Sequence, residues 1–164
     1  MAQERVIRFG KYHKLELYCY DASDASIRYS RTYVGRYTKE NENDPRDLAP
    51  SKKPGDDECQ KTHMSGYPVF AGPVRLSWHD FRDNLIEYTF SFEEIFPDRL
   101  IPHPEELDDQ IFWPEPLDGD PGIILEIIDR TLNIYTVINL HVRVPNTDTV
   151  KMVLYRAKVF TREF

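Results

Sequence analysis

With 164 residues and a mass of 19.4 kDa, the chain is long enough to bury a core without disulfide or metal staples, and its length predicts one domain. Hydrophobic residues make up 40% and aromatic residues 13%, too many for a disordered chain, and twelve prolines against seven glycines favour extended segments and stiff loops over long helices. The net charge of −7 is unevenly spread: from Glu93 to Asp129 twelve acids face Arg99 alone, a local −11 that argues against nucleic acid as a partner, because phosphate repels it.

The N-terminal MAQERVIRFGKYHK holds no apolar run, so no membrane span is expected. Cytoplasmic is the default location, and periplasmic the alternative if a lipoprotein leader has been removed. Residues 14–20 alternate Leu15, Leu17 and Cys19 against Glu16, Tyr18 and Tyr20, a strand pattern. Residues 21–26, DASDAS, read as a turn, and residues 27–37 as a returning strand with a bulge at Gly35, so the two are expected to pair as a hairpin. Residues 39–72, rich in proline and alternating charge, predict a long loop that is either mobile or a functional flap.

The clearest pattern lies at residues 74–92. Val74, Leu76 and Trp78 alternate with Arg75 and Ser77, and Ile86, Tyr88, Phe90 and Phe92 alternate with Glu87, Thr89 and Ser91, which predicts two strands. The polar link from His79 to Asn84 is too long for a tight turn, so an open tip is expected. Ser91 followed by Glu94 predicts a short helix start, and Pro97, Pro102 and Pro104 forbid a long one. An acidic loop is expected at about 97–121, with one helical turn near Glu105 to Gln110. Residues 122–128, GIILEII, predict a buried strand by their β-branched content. Residues 131–144 and 150–160 predict two more strands, the last covered partly on both faces. The sum is a mainly β, antiparallel β-sandwich-like single domain with one or two short helices.

No catalytic motif is specific. The histidines His13, His63, His79, His103 and His141 are scattered, and the acids around Asp118 lack the spacing of a calcium loop, so no metal or cofactor is predicted. Ser77, His79 and Asp80 lie close in sequence without a nucleophile elbow, and Asp80, Asp83 and Glu87 offer carboxylates at no diagnostic spacing. Cys19 and Cys59 fit two idle thiols or one disulfide. Tyr18, Tyr20, Tyr29, Tyr33, Tyr37, Trp78 and Trp113 fit an aromatic platform of a carbohydrate- or surface-binding module, or else a core Trp78 with tyrosines along the sheet edges. Ile111, Phe112 and Trp113 form an apolar cluster flanked by charge, the composition of an interface anchor and also of a staple onto the core.

Gly10, Lys11, Tyr12, Leu15 and Tyr18, followed by Val74-Arg75-Leu76-Ser77-Trp78, then Glu87-Tyr88, then Ile95-Phe96-Pro97 and a late apolar strand, resemble a family of small bacterial proteins of unassigned function. Many of its members are lipoproteins, and some are encoded beside type VI secretion effectors, lipases among them. The chain departs from that pattern in having neither lipobox cysteine nor leader, which puts membrane anchoring in doubt. The resemblance implies a non-enzymatic immunity-type protein that neutralises a secreted antibacterial effector. On that reading Phe112 and Trp113 anchor the contact. Glu105, Glu106, Asp108, Asp109, Glu115 and Asp118 meet a basic surface on the protein partner.

Overall fold

A computed structural model describes residues 5–29, 32–36, 47–62, 66–111, 118–119 and 121–164, with backbone alone at 32–36 and 118–119. It is a mainly β sandwich, and its two larger sheets follow from the alternation read in the sequence. One has four strands: β3 (Ser23–Tyr29), β4 (Thr32–Arg36), β6 (Pro73–His79) and β7 (Leu85–Ser91), in the order β4-β3-β6-β7. The other has five: β2 (Tyr12–Tyr20), β5 (Tyr67–Pro68), β10 (Gly122–Ile128), β11 (Thr131–Arg143) and β12 (Val150–Glu163), in the order β12-β11-β10-β2-β5. A small third sheet joins β1 (Ile7–Phe9) to β8 (Leu100–Ile101) and β9 (Asp118–Gly119). The helices are α1 (Asp56–Cys59), α2 (Phe92–Ile95) and a 3-10 turn at Glu105–Leu107. Among the described residues no helix is long and apolar enough to cross a membrane.

The central hairpin follows its period-two pattern. Tyr29, Val74 and Phe90 form one cross-strand row, Ile27, Leu76 and Tyr88 the next, and Trp78 and Ile86 a third. These side chains pack against Leu15, Cys19, Ile123, Leu125, Ile127, Leu132 and Ile134 of the opposite sheet in one apolar cluster. Burying two alternating faces against each other is what makes a sandwich of such strands. Ser91 stands before α2 as expected, though its hydroxyl makes no cap hydrogen bond.

Three local expectations change. Residues 14–20 and 27–37 do not pair as a hairpin: β2 and β3 belong to different sheets, and the second stretch itself folds into the β3–β4 hairpin, with Tyr29 opposite Thr32. β2 instead lies parallel to β10, in seven matched pairs from Lys14 with Gly122 to Tyr20 with Ile128. Parallel strands are characteristically buried on both faces, which accounts for the unbroken apolar run of β10. Finally, the His79–Asn84 tip is closed. The buried Asp80 accepts hydrogen bonds from the backbone N–H groups of Arg82 (2.9 Å) and Asn84 (2.8 Å), and from the Arg130 guanidinium (2.6 Å). Hydrogen bonds from Asn84 and Arg130 hold the Asp80 carboxyl below its ordinary pKa. Arg130 also donates to the Phe164 carbonyl (2.7 Å), and the Trp78 indole to the Asp129 carbonyl (2.7 Å), so the tip ties the two sheets together.

The two cysteines are free thiols, Cys19 buried and Cys59 exposed. Burial pushes the Cys19 thiol up to about 12, which leaves it inert as a nucleophile.

Residues 47–62 of the predicted long loop lie over the outer face of β10, where the apolar run hides a charge. Glu126 is 0% exposed. It accepts from Gln60 Nε2 (2.5 Å) and Asn133 Nδ2 (3.0 Å) and pairs with Lys52 Nζ (2.9 Å). Lys52 also reaches Asp57 (2.7 Å), as does Arg156 (3.1 Å), which donates to Gln60 Oε1 (2.6 Å) and stacks 3.6 Å over the Tyr135 ring. Burial pushes the Glu126 carboxyl up, but the hydrogen bonds from Gln60, Lys52 and Asn133 with the Lys52 charge outweigh it and leave it below its ordinary value.

A carboxyl lowered in the folded state contributes stability that is complete above its unfolded pKa and is lost as pH falls through the folded one. Glu126→Ala removes the buried acceptor that Lys52, Gln60 and Asn133 share, leaves Asp57 as the remaining carboxylate for Lys52 and Arg156, and is expected to cost about 3 kcal/mol, a melting point lower by roughly 6–12 °C. Comparing wild type and Glu126→Gln by thermal melts across the acid range should show a shallower acid loss in the variant. At Gly122 an added Cβ would lie 2.5 Å from the Thr62 hydroxyl and 2.7 Å from its methyl. Gly122→Ala is expected to cost about 1–3 kcal/mol in denaturant melts by pushing residues 47–62 off the sheet.

Candidate partner-binding surface

The acidic stretch is fastened at several points. β8 pairs antiparallel to β1, Ile101 opposite Ile7, and β9 pairs parallel to it, placing the Asp118 backbone beside Arg8. Between them the chain turns through Glu105–Leu107, as the sequence predicts, with Asp108 N–H donating to the Glu105 carbonyl (3.0 Å) and Ile111 N–H to the Leu107 carbonyl (3.0 Å). Ile111 then bridges to Val142, and Arg143 N–H donates to the Gln110 carbonyl (2.7 Å), which docks the turn on the far end of β11. Ile7, Ile101 and Ile111 close with Ile138, Leu140 and Val142 into a second apolar cluster, with Leu107 packed against it. Of the two readings of Ile111, the staple is realised.

The acids on this turn differ in environment. Glu105 and Glu106 are exposed and make no ion pair among the described residues. Asp109 is exposed and pairs with Arg5 (2.6 Å), a surface contact worth little in water. Asp108 is half-buried and meets His103 Nε2 (2.8 Å). Phe112, Trp113 and Glu115 lie outside the described residues. One member of the acidic stretch is not a surface charge at all, since Glu126 is buried, and another, the half-buried Asp129, accepts from Phe81 N–H (2.9 Å) at a turn. The outward field of the segment is therefore smaller than its sequence charge, and on this turn it is carried by Glu105, Glu106 and Asp109.

The other candidate constellations are dispersed. The Ser77 hydroxyl lies 2.9 Å from that of Ser26, His79 Nδ1 is 4.0 Å from Asp24, and Asp80 is committed to Arg130, so the three do not converge. Glu87 opposes Ser77 on the outer face of the four-stranded sheet, away from buried Asp80. Among the described side chains the tyrosines do not form one platform. Tyr18 pairs with the Lys61 backbone (2.6 Å), Tyr20 is buried beside Gln60 (3.1 Å), and Tyr29 is buried in the opposite sheet against His13 (3.2 Å). Burial lowers the pKa of His13, so it stays neutral in the core. Tyr33 and Tyr37 have no described side chains. Among the described residues no three His, Cys, Asp or Glu side chains are grouped to hold a metal.

One feature has only a faint signal in the sequence. The first half of β12, expected to be covered, is open: Val150, Met152 and Leu154 are 48%, 60% and 62% exposed.

Family models, curated proteins and solved structures offer no match to this chain.

Because Ile111 joins the acidic turn to β11 through both a backbone bridge and an apolar contact, Ile111→Ala should free the turn before it unfolds the sandwich. The expected cost is about 2 kcal/mol, toward the low end for buried isoleucine because this cluster is small. Hydrogen exchange should rise at the amides of 107–111 while those of β6 and β7 stay protected; uniform acceleration would show that the turn is not a separate unit.

Proposed function

We propose that the chain is a non-enzymatic protein-binding domain of the immunity type, which neutralises a secreted antibacterial effector by laying its acidic turn against a basic surface. The observation that carries this reading is the presentation of Glu105, Glu106 and Asp109 as exposed carboxylates on a turn fastened at Ile101 and Ile111. A pre-ordered charged turn loses little conformational freedom on contact, and a concentrated negative field accelerates encounter with a basic partner. Phe112 and Trp113 supply apolar anchors within the same segment, Glu115 and Asp118 extend its charge, and Asp108 sits at its base. The finer assignment, to effectors of type VI secretion, rests on the resemblance carried by Gly10 to Tyr18, Val74 to Trp78, Glu87-Tyr88 and Ile95 to Pro97.

The test is capture of a partner from the source cell by this chain, repeated with Glu105→Gln, Glu106→Gln, Asp108→Asn and Asp109→Asn combined. One stoichiometric protein is expected with the native chain, with association slowed roughly tenfold in the variant and its salt dependence flattened. Association that is equally fast and equally salt-dependent in the variant would remove the acidic turn from the contact.

A further inference from the structure

β12 is a strand of fourteen residues at the edge of its sheet, and among the described residues its one sheet neighbour is β11. The backbone N–H and C=O groups on its other side have no strand to pair with among the described residues, and folded proteins ordinarily block such an edge with short length, bulges, proline or inward charge. Here the opening five residues, VKMVL, carry no proline and one charge. The bulge in the β11–β12 ladder falls elsewhere, at Ile134/Tyr135. Val150, Met152 and Leu154 stand on one face of this open edge, each about half exposed or more, beside Arg143, His141 and Asn139 of β11. A free edge and an apolar strip on the same residues together mark a strand-pairing surface.

The geometry points to a second copy of this chain as the occupant, its β12 pairing antiparallel to the first about a two-fold axis at Met152. The order of residues selects that register. A two-fold perpendicular to the sheet keeps each face continuous, and with Met152 opposite its own copy, Val150 faces Leu154 at both ends, so six apolar side chains form one strip. On the other face Lys151 falls opposite Val153, so no like charges are directly opposed, the arrangement that destabilises cross-strand pairs. Centring the pair on Val153 instead sets Val150 against Arg156, already engaged with Asp57, and leaves the strip interrupted. The two five-stranded sheets then become one continuous sheet with an isologous interface. This surface shares no side chain with the acidic turn: Ile138, Leu140 and Val142, which take part in the cluster that receives that turn, alternate with the exposed face.

Sedimentation over a concentration series should show a monomer–dimer equilibrium in the full chain, and combining Met152→Lys with Leu154→Lys should weaken it at least about tenfold. Both positions are exposed, so the variant is expected to fold, which its melting curve checks. The register is read by oxidative cross-linking in a Cys59→Ser background, because residues facing each other across antiparallel strands lie within disulfide reach. Met152→Cys alone should form a covalent dimer, and Val153→Cys alone should not. A chain that remains monomeric at every concentration, a dimer that survives the double lysine variant, or cross-linking through Val153→Cys in place of Met152→Cys would each overturn the proposal. The four-acid variant of the turn should dimerise as well as the native chain.

Discussion

The Glu126 carboxylate is the constraint on which the arrangement of the chain depends. It sits fully buried in the middle of β10, where an unpaired charge would be prohibitive, so the fold must bring cations and donors to it. Lys52 and Gln60 arrive from residues 47–62, Asn133 from β11 and Arg156 from β12. Those contacts draw a segment that reads as loop across the outer face of the sheet, and they join four separate parts of the chain through one side chain. Hydrophobic packing alone would accept many positions for residues 47–62; a charge that requires a definite set of partners accepts few.

What lies over β10 also explains the topology. Because residues 47–62 cover one face and the four-stranded sheet the other, β10 is buried on both sides and can sit in the sheet interior beside β2, parallel to it. Asp21 marks where β2 ends and the chain leaves for the other sheet: its N–H donates to the Ala49 carbonyl (3.2 Å), and Ala49 N–H donates to the Ala22 carbonyl (2.9 Å). The same residues that cover β10 thus receive the crossover that separates β2 from β3.

The parts of the fold legible in the sequence are those set by neighbours in the chain. Val74 to Phe92 shows its two strands because alternation is local, and GIILEII shows burial because its composition is local. The pairing of β2 with β10 is not legible, since strands more than a hundred residues apart leave no mutual mark on a single sequence. The expected hairpin of β2 and β3 failed for the same reason: DASDAS looks like any tight turn, and whether the chain returns to the same sheet depends on Ala49. The candidate surface divides in a similar way. Its helical turn follows from local pattern, whereas local pattern leaves Ile111 open between staple and anchor and only its contact with Val142 decides. Summed charge misleads, because a carboxylate counts as −1 whether it faces water, as Glu105 does, or Lys52, as Glu126 does.

The far end of the β11–β12 hairpin gathers both proposed surfaces on opposite sides of two strands. Alternation sends Ile138, Leu140, Val142 and Val153 to the face that receives the acidic turn, and His141, Arg143, Val150, Met152 and Leu154 to the open face. The two surfaces share a backbone and no side chains, so each can change by substitution without removing a contact of the other. Their energetic link runs through the backbone. A copy paired along β12 would restrain fraying of this hairpin end, and the acidic turn docks on it through the Ile111–Val142 bridge and the Arg143 hydrogen bond. Restraint of a shared support lowers the ordering cost of whatever binds next, so self-pairing and partner binding through this hairpin are predicted to favour each other even though no side chain belongs to both.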